Sequence, residues 1–154
     1  MALTRPTRIM VIASGGGHWT QMLRLRPAWS DLDVFYVGVK RMYEVDVPNS
    51  RFYAVEDVSR LHRLALFKTV AQLTWILLKE RPRAIVTTGS APGMLALRLG
   101  KALLGCRTLW LDSVANVEEM SLSGRKAAAH ADLLLTQWPH LAADPGPQYK
   151  GALL

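Results

Sequence analysis

Arg8-Ile9-Met10-Val11-Ile12-Ala13-Ser14-Gly15-Gly16-Gly17-His18 is the stretch that decides the fold. Its first half is short, apolar and closed by glycines, which predicts a strand buried on both faces over Arg8 to Ser14. From His18 to Ala28 the chain reads as a helix with Met22, Leu23 and Leu25 as its apolar contacts and Pro27 marking its end. Three consecutive glycines let backbone amides approach a ligand with no Cβ in the way. The helix behind them turns its positive end to the same spot, which suits a phosphate or another oxyanion; a tight turn with no ligand is the plain alternative.

The same alternation continues outward. Asp33 to Val39 reads as a second strand, residues 40–49 as a polar loop with Pro48, and Arg51 to Val55 as a third strand. Ser59 to Glu80 predicts a long helix, with Ser59 as its cap and Pro82 past its end. Ala84 to Thr88 is the fourth strand, and Gly89-Ser90-Ala91-Pro92-Gly93 turns into a helix that ends near Gly105. Arg107 to Leu111 is the fifth strand, Asp112 to Met120 a loop, Leu122 to His130 a short helix, and Ala131 to Gln137 the sixth strand. Residues 138–154 contain Pro139, Pro145 and Pro147 and read as a tail of little order.

Strands that are apolar on both faces and alternate with helices predict one α/β domain over residues 1–154, a Rossmann-like parallel sheet with helices on both faces. Ligands of such sheets bind beyond the carboxyl ends of the strands. The loops leaving that edge are Ser14 to His18, the one after Val39, Gly89 to Gly93, and Asp112 to Glu119.

Composition narrows the function. Of 154 residues half are hydrophobic, enough for a core, and the single Cys106 allows no disulfide within the chain, in keeping with a reducing cytoplasm. The net charge of +7 comes mostly from arginine, which favours phosphates on a nucleotide or a lipid. No recognition helix and no aromatics interleaved with a basic strand face are present, so a nucleic-acid partner is not expected. The turn is not a G-x-x-x-x-G-K-[ST] loop, and Thr20 breaks G-x-G-x-x-G, while Lys40 and Arg41 stand where an acid would bind a ribose. Asp31-Leu32-Asp33 precedes a strand, on the wrong edge for a metal signature, and reads as a solvated turn; no metal is expected.

Four segments together resemble a known family: Ala13 to Leu25, Arg83 to Gly93, Leu111 to Arg125 and Ala131 to Pro139. In order and spacing they are similar to bacterial PssD-like polysaccharide-biosynthesis subunits. These are related to the membrane-recruiting subunit of the dolichol-linked N-acetylglucosamine transferase and to the N-terminal half of the peptidoglycan N-acetylglucosaminyltransferase. The chain departs at Asp112-Ser113, where Glu-Ser is usual, and at Asn116, where arginine is usual.

The resemblance implies the N-terminal half of a GT-B glycosyltransferase split over two chains. It would bind a lipid-linked (polyprenyl diphosphate) glycan, while a separate small catalytic chain holds the UDP-sugar donor, with no other cofactor. The expected place is the inner face of the cell membrane. A noncatalytic scaffold that recruits such a partner is the alternative. His18 and Asp112 are the candidate bases, each with a packing or capping role as the alternative. Ser14, Gly15, Gly16, Gly17, Gly89, Ser90, Gly93, Ser113, Asn116 and Glu118 are candidate phosphate or substrate contacts. The long helix carries more apolar residues than one buried face needs, and Arg60, Arg63, Lys68, Trp75 and Leu78 suit an anionic membrane surface. The tail over residues 139–154 is an expected partner-docking segment.

Overall fold

The computed structural model describes residues 6–58 and 63–153. Seven strands form one sheet: β1 Arg8–Ile12, β2 Asp33–Gly38, β3 Arg51–Ala54, β4 Ala84–Thr87, β5 Arg107–Leu111, β6 Leu133–Thr136 and β7 Gln148–Tyr149. Their order is β3-β2-β1-β4-β5-β6-β7, and every neighbouring pair is parallel. The helices are α1 Gly17–Arg24, α2 Arg63–Glu80, α3 Ala91–Leu104 and α4 Leu122–Ala127.

Alternation along β1 explains the layers. Met10 and Ile12 pack with Leu73, Ile76 and Leu77 of α2 and Ala96 and Leu97 of α3. Ile9 and Val11 pack on the other face with Trp19 and Met22 of α1 and with Trp29. Successive side chains of a strand point to opposite faces, so a run without polar positions requires cover on both. The strand order reverses between β1 and β4, which places the ligand crevice of a doubly wound sheet at their carboxyl ends.

Several boundaries differ from expectation. The first helix ends at Arg24, and Arg26–Trp29 forms a separate 3-10 turn, because Pro27 has no N–H to continue the helical ladder. Residues 41–46, expected as loop, form a 3-10 segment held by Trp19, whose indole stacks on Tyr43 at 4.7 Å and donates to Asp46 Oδ2 at 2.8 Å. The helix expected to reach His130 stops at Ala127. The tail carries a seventh strand. The helix start expected at Ser59 and the basic contact expected at Arg60 lie outside the described residues.

Asp33 does not sit in a solvated turn. It accepts from Arg8 Nε and from Arg51 Nη2, each at 2.7 Å, and Arg8 Nη1 and Arg51 Nε also approach Glu80 at 3.2 and 3.3 Å. Burial works to raise the Asp33 carboxyl, but the hydrogen bonds from Arg8 and Arg51 outweigh it and hold the group below its ordinary 3.8. A carboxylate depressed in the folded state stabilises above its unfolded pKa, and that stability is lost as pH falls through the lower, folded value. The urea midpoint is therefore expected to drop between about pH 5 and about pH 2, and Asp33→Asn to flatten part of that drop. Asp132, held low by its hydrogen bond from Lys101 and by the Thr108 amide, supplies another part. An unchanged pH profile in Asp33→Asn would remove Asp33 from the acid response.

Candidate functional site

Two of the four loops predicted at the carboxyl edge converge on the crevice between β1 and β4. One follows β1 and opens α1; the other follows β4 and opens α3. Gly16 precedes α1 at φ 64°, a conformation open to glycine. Gly15 is glycine for a different reason: a Cβ there would lie 2.7 Å from the Tyr43 hydroxyl, which accepts from the Gly16 amide at 3.1 Å.

Between the two helix starts lies a cavity of about 380 Å³, lined by Ser14, Gly15, Gly16, His18, Ser90 and Lys40, among others. Hollows of about 650 and 660 Å³ occur elsewhere. One flanks residues 26–30, and the other sits at the amino ends of β1 and β2 around Arg8 and Asp33. Neither lies at the carboxyl edge, where doubly wound sheets bind ligands.

His18 bridges the loops. Its Nδ1 lies 2.8 Å from the Thr88 carbonyl oxygen, and the Thr88 hydroxyl donates to the His18 carbonyl at 2.6 Å. A carbonyl only accepts, so Nδ1 carries the proton, and in the neutral ring Nε2 holds a free lone pair. The ring lies against Gly89, at φ 127°, where a Cβ would meet it at 2.7 Å. Any side chain at position 89 would displace the imidazole.

Ser90 stands before α3 at φ 80°, a strained conformation for a residue with a Cβ. Its buried Oγ has no hydrogen-bond partner on the protein among the described residues, and the residue lines the cavity. A buried hydroxyl without a partner costs free energy that a ligand oxygen would recover. Two helix N-termini, one orphaned hydroxyl, Lys40 and an imidazole with a fixed tautomer meet at this cavity, groups whose chemistry suits an oxyanion beside a proton acceptor.

Asp112 is a different kind of group. It is 2% exposed, and its carboxylate accepts four hydrogen bonds. Oδ1 receives Trp110 Nε1 at 3.0 Å and Ser121 Oγ at 2.6 Å; Oδ2 receives Asn116 Nδ2 at 3.0 Å and the Ser121 amide at 2.8 Å. Both oxygens are saturated, so the geometry makes Asp112 the organiser of loop 112–121. Asn116 belongs to that same box, and Gly124 is needed beside it, since a Cβ there would stand 2.7 Å from Oδ1.

Not every predicted contact reaches the cavity. Gly93 is buried, and a Cβ on it would lie 2.1 Å from Thr87 Oγ1, so it serves the close approach of α3 to β4. Gly17 lies in the first turn of α1. Ser113 Oγ accepts from Gln21 Nε2 at 3.1 Å, next to the Asp112 box. Glu118 is exposed on the loop. The sequence reading missed Gln21 and Gln137, both buried, which join α1 to that loop.

The long helix presents two stripes. Leu73, Ile76 and Leu77 face the core. Leu64, Phe67, Trp75 and Leu78 are 83%, 71%, 56% and 50% exposed, with Ala71 also exposed between them. Arg63 and Lys68 flank the first turns, Lys68 pairing with Glu56, while Lys79 lies over the Trp75 ring at 4.7 Å. No helix among the described residues is long and apolar enough to cross a membrane.

The expected docking tail is seated on its own domain. The Leu153 amide donates to Gln137 Oε1 at 2.8 Å, and Arg24 Nη1 donates to the Leu153 carbonyl at 2.5 Å.

No family model matches the chain. Two curated relatives align with nearly all of it. The UDP-N-acetylglucosamine transferase subunit ALG14 of Yarrowia lipolytica is 26% identical over 96% of this chain and 81% of its own length. The mouse subunit of the same name is 25% identical over 87% and 76%. Among solved structures, MurG of Acinetobacter baumannii superposes with a TM-score of 0.78 at 13% identity, over 97% of this chain and 46% of that one. UDP-N-acetylglucosamine 2-epimerase of Rickettsia bellii gives 0.70 at 11%, over 96% and 45%. The chain thus spans just under half the length of the solved structures it matches. The fold is that of one Rossmann-like half of a GT-B protein, as the sequence predicts.

Proposed function

We propose that this chain is the acceptor-side subunit of a two-chain glycosyltransferase that moves a sugar from a UDP-sugar to a lipid-linked (polyprenyl diphosphate) glycan in polysaccharide assembly. The observation that carries the reading is the crevice between β1 and β4, with its orphaned Ser90 hydroxyl and the fixed His18 tautomer. The likeness over most of the chain to proteins named as UDP-N-acetylglucosamine transferase subunits supports the substrate class and a partner chain that closes the cleft.

In this reading the α3 N-terminus, Ser90, Lys40 and the Gly15-Gly16 turn bind diphosphate oxygens. His18 Nε2 accepts the proton of the attacking acceptor hydroxyl, leaving an imidazolium whose Nδ1–H stays on the Thr88 carbonyl. Asp112, Ser113 and Asn116 shape the neighbouring loop, with Glu118 at its exposed rim. The small partner chain supplies the donor pocket.

The test is reconstitution of this chain with a candidate donor-binding chain and a lipid-linked acceptor, assayed over a panel of UDP-sugars that begins with UDP-N-acetylglucosamine. Transfer is expected only with both chains present. Turnover by this chain alone, or by the partner alone at the full rate, would overturn the two-chain reading.

The exposed stripe of α2, with Arg63 and Lys68 beside Phe67, Trp75 and Leu78, is proposed to rest on the anionic inner face of the cell membrane. Binding to liposomes containing anionic lipid at low salt is the expected result, with Phe67→Ser plus Trp75→Ser weakening it about tenfold or more. Equal binding by the double variant would take α2 out of the membrane contact.

A further inference from the structure

Gln21 and Gln137 make an amide-to-amide contact that the proposed chemistry does not use. Gln21 sits on α1, one turn after His18, and Gln137 follows β6. Gln21 Oε1 accepts from Gln137 Nε2 at 2.5 Å and from the Val114 amide at 3.1 Å, while its Nε2 donates to Ser113 Oγ at 3.1 Å. Gln137 Nε2 also donates to the Asp112 carbonyl at 2.9 Å, and its Oε1 accepts the Leu153 amide at 2.8 Å. Trp138 Nε1 closes the set on the Val114 carbonyl at 2.8 Å.

The two side chains are buried and engaged at both ends, so neither amide can turn over without breaking bonds. Four segments meet there: α1, loop 112–121, the start of the segment after β6, and residues 150–153. Among the described residues, the only hydrogen bond that Gln137 Oε1 accepts comes from Leu153, and both bonds that its Nε2 donates go inward.

We infer that Gln137 and Gln21 are positioning residues that make the placement of α1, and of His18 at its start, depend on whether residues 150–153 are seated. The consequence for turnover rests on the proposed transferase reading; the coupling itself does not. Seated, Leu153 fixes the Gln137 amide plane, which fixes Gln21 and the Val114 amide. Unseated, Gln137 Oε1 loses its donor and the amide is held only by its two Nε2 bonds, so its hold on Gln21 loosens, while Gln21 keeps its own bonds to Ser113 and Val114.

The experiment reads the chain without any substrate. Leu153→Pro deletes the N–H that Gln137 Oε1 accepts. Hydrogen exchange at the Val114 amide is expected to speed up roughly tenfold, the scale of one lost hydrogen bond. The His18 imidazole nitrogen signals should shift in the same variant. In a Gln137→Met background Leu153→Pro should add nothing at either reporter. Should Gln137→Met not fold, Gln21→Met serves instead: Leu153→Pro then leaves His18 unmoved. Effects of Leu153→Pro that are absent in the parent chain, or that persist in full in both glutamine backgrounds, would overturn the coupling.

In the reconstituted pair, Gln21→Met should lower kcat with little change in KM for the UDP-sugar. If no pair shows transfer while the exchange coupling holds, the transferase reading fails and this inference stands.

Discussion

His18→Ala in the reconstituted pair is expected to lower kcat by about 100-fold or more, the usual loss when a general base is removed. The size follows from the geometry. Thr88 holds the Nδ1 proton, so Nε2 is the basic nitrogen, and Gly89 leaves the only room for the ring. Alanine keeps the Thr88–His18 backbone contact, which uses the His18 carbonyl, so folding should suffer little. Gly89→Ala should reproduce much of the kinetic loss by pushing the ring aside at a left-handed backbone position. Kinetics with saturating UDP-sugar and acceptor decide the matter. Unchanged kcat in His18→Ala would remove the histidine from proton transfer.

Asp112→Asn is expected to cost about 3 kcal/mol of stability, within the range for breaking one side of a buried, fully bonded charge. The carboxylate receives Trp110 Nε1 on one oxygen and the Ser121 amide and Asn116 Nδ2 on the other. The Asn116 amide can turn over, but the Trp110 N–H and the Ser121 backbone N–H, one on each oxygen, cannot become acceptors. Whichever way an asparagine at 112 is oriented, its NH₂ faces an N–H. Urea unfolding checks the loss, and Ser121→Ala should show a smaller one. A stable Asp112→Asn protein with no turnover would instead assign the carboxylate to the chemistry.

The parts legible in the sequence are those that periodicity and glycine chemistry encode. The apolar run Ile9 to Ile12, the glycine turn and Ala84 to Thr88 place β1, β4 and the crevice edge, and the same apolar runs mark four more strands, because a strand covered on both faces is mostly apolar. His18 and Ser90 are legible as neighbours of that edge. What was hidden depends on partners distant in the chain. Tyr43 and Asp46 look like loop residues until Trp19 stacks on one and donates to the other. Asp33 looks solvated until Arg8 and Arg51 meet it across adjacent strands. Asp112 looks like an available carboxylate because its donors lie on both sides of it in sequence, in Trp110, Asn116 and Ser121. Gln148–Tyr149 is too short a strand to show a period of two, and it is defined by β6 beside it. Gln137 carries no local signal; for Gln21 the available hint is a polar residue on a buried helical face, among Trp19 and Met22.

The central position of β1 has a consequence for how the protein is made. On the ribosome β1 is translated before β2 to β7, and it can pair with Asp33–Gly38 as soon as that segment emerges. Its other edge must wait for Ala84–Thr87, since Ile9 aligns with Ala84 and Ile12 with Thr87. No hairpin can bridge the interval, because parallel strands need a crossover connection. Throughout that interval the nascent chain carries an apolar strand with an unpaired edge, joined late in it by both apolar stripes of α2. An unpaired edge of this kind is a template for a neighbouring chain. Chaperone occupancy of the nascent chain should therefore peak after α2 has emerged and fall once β4 is out.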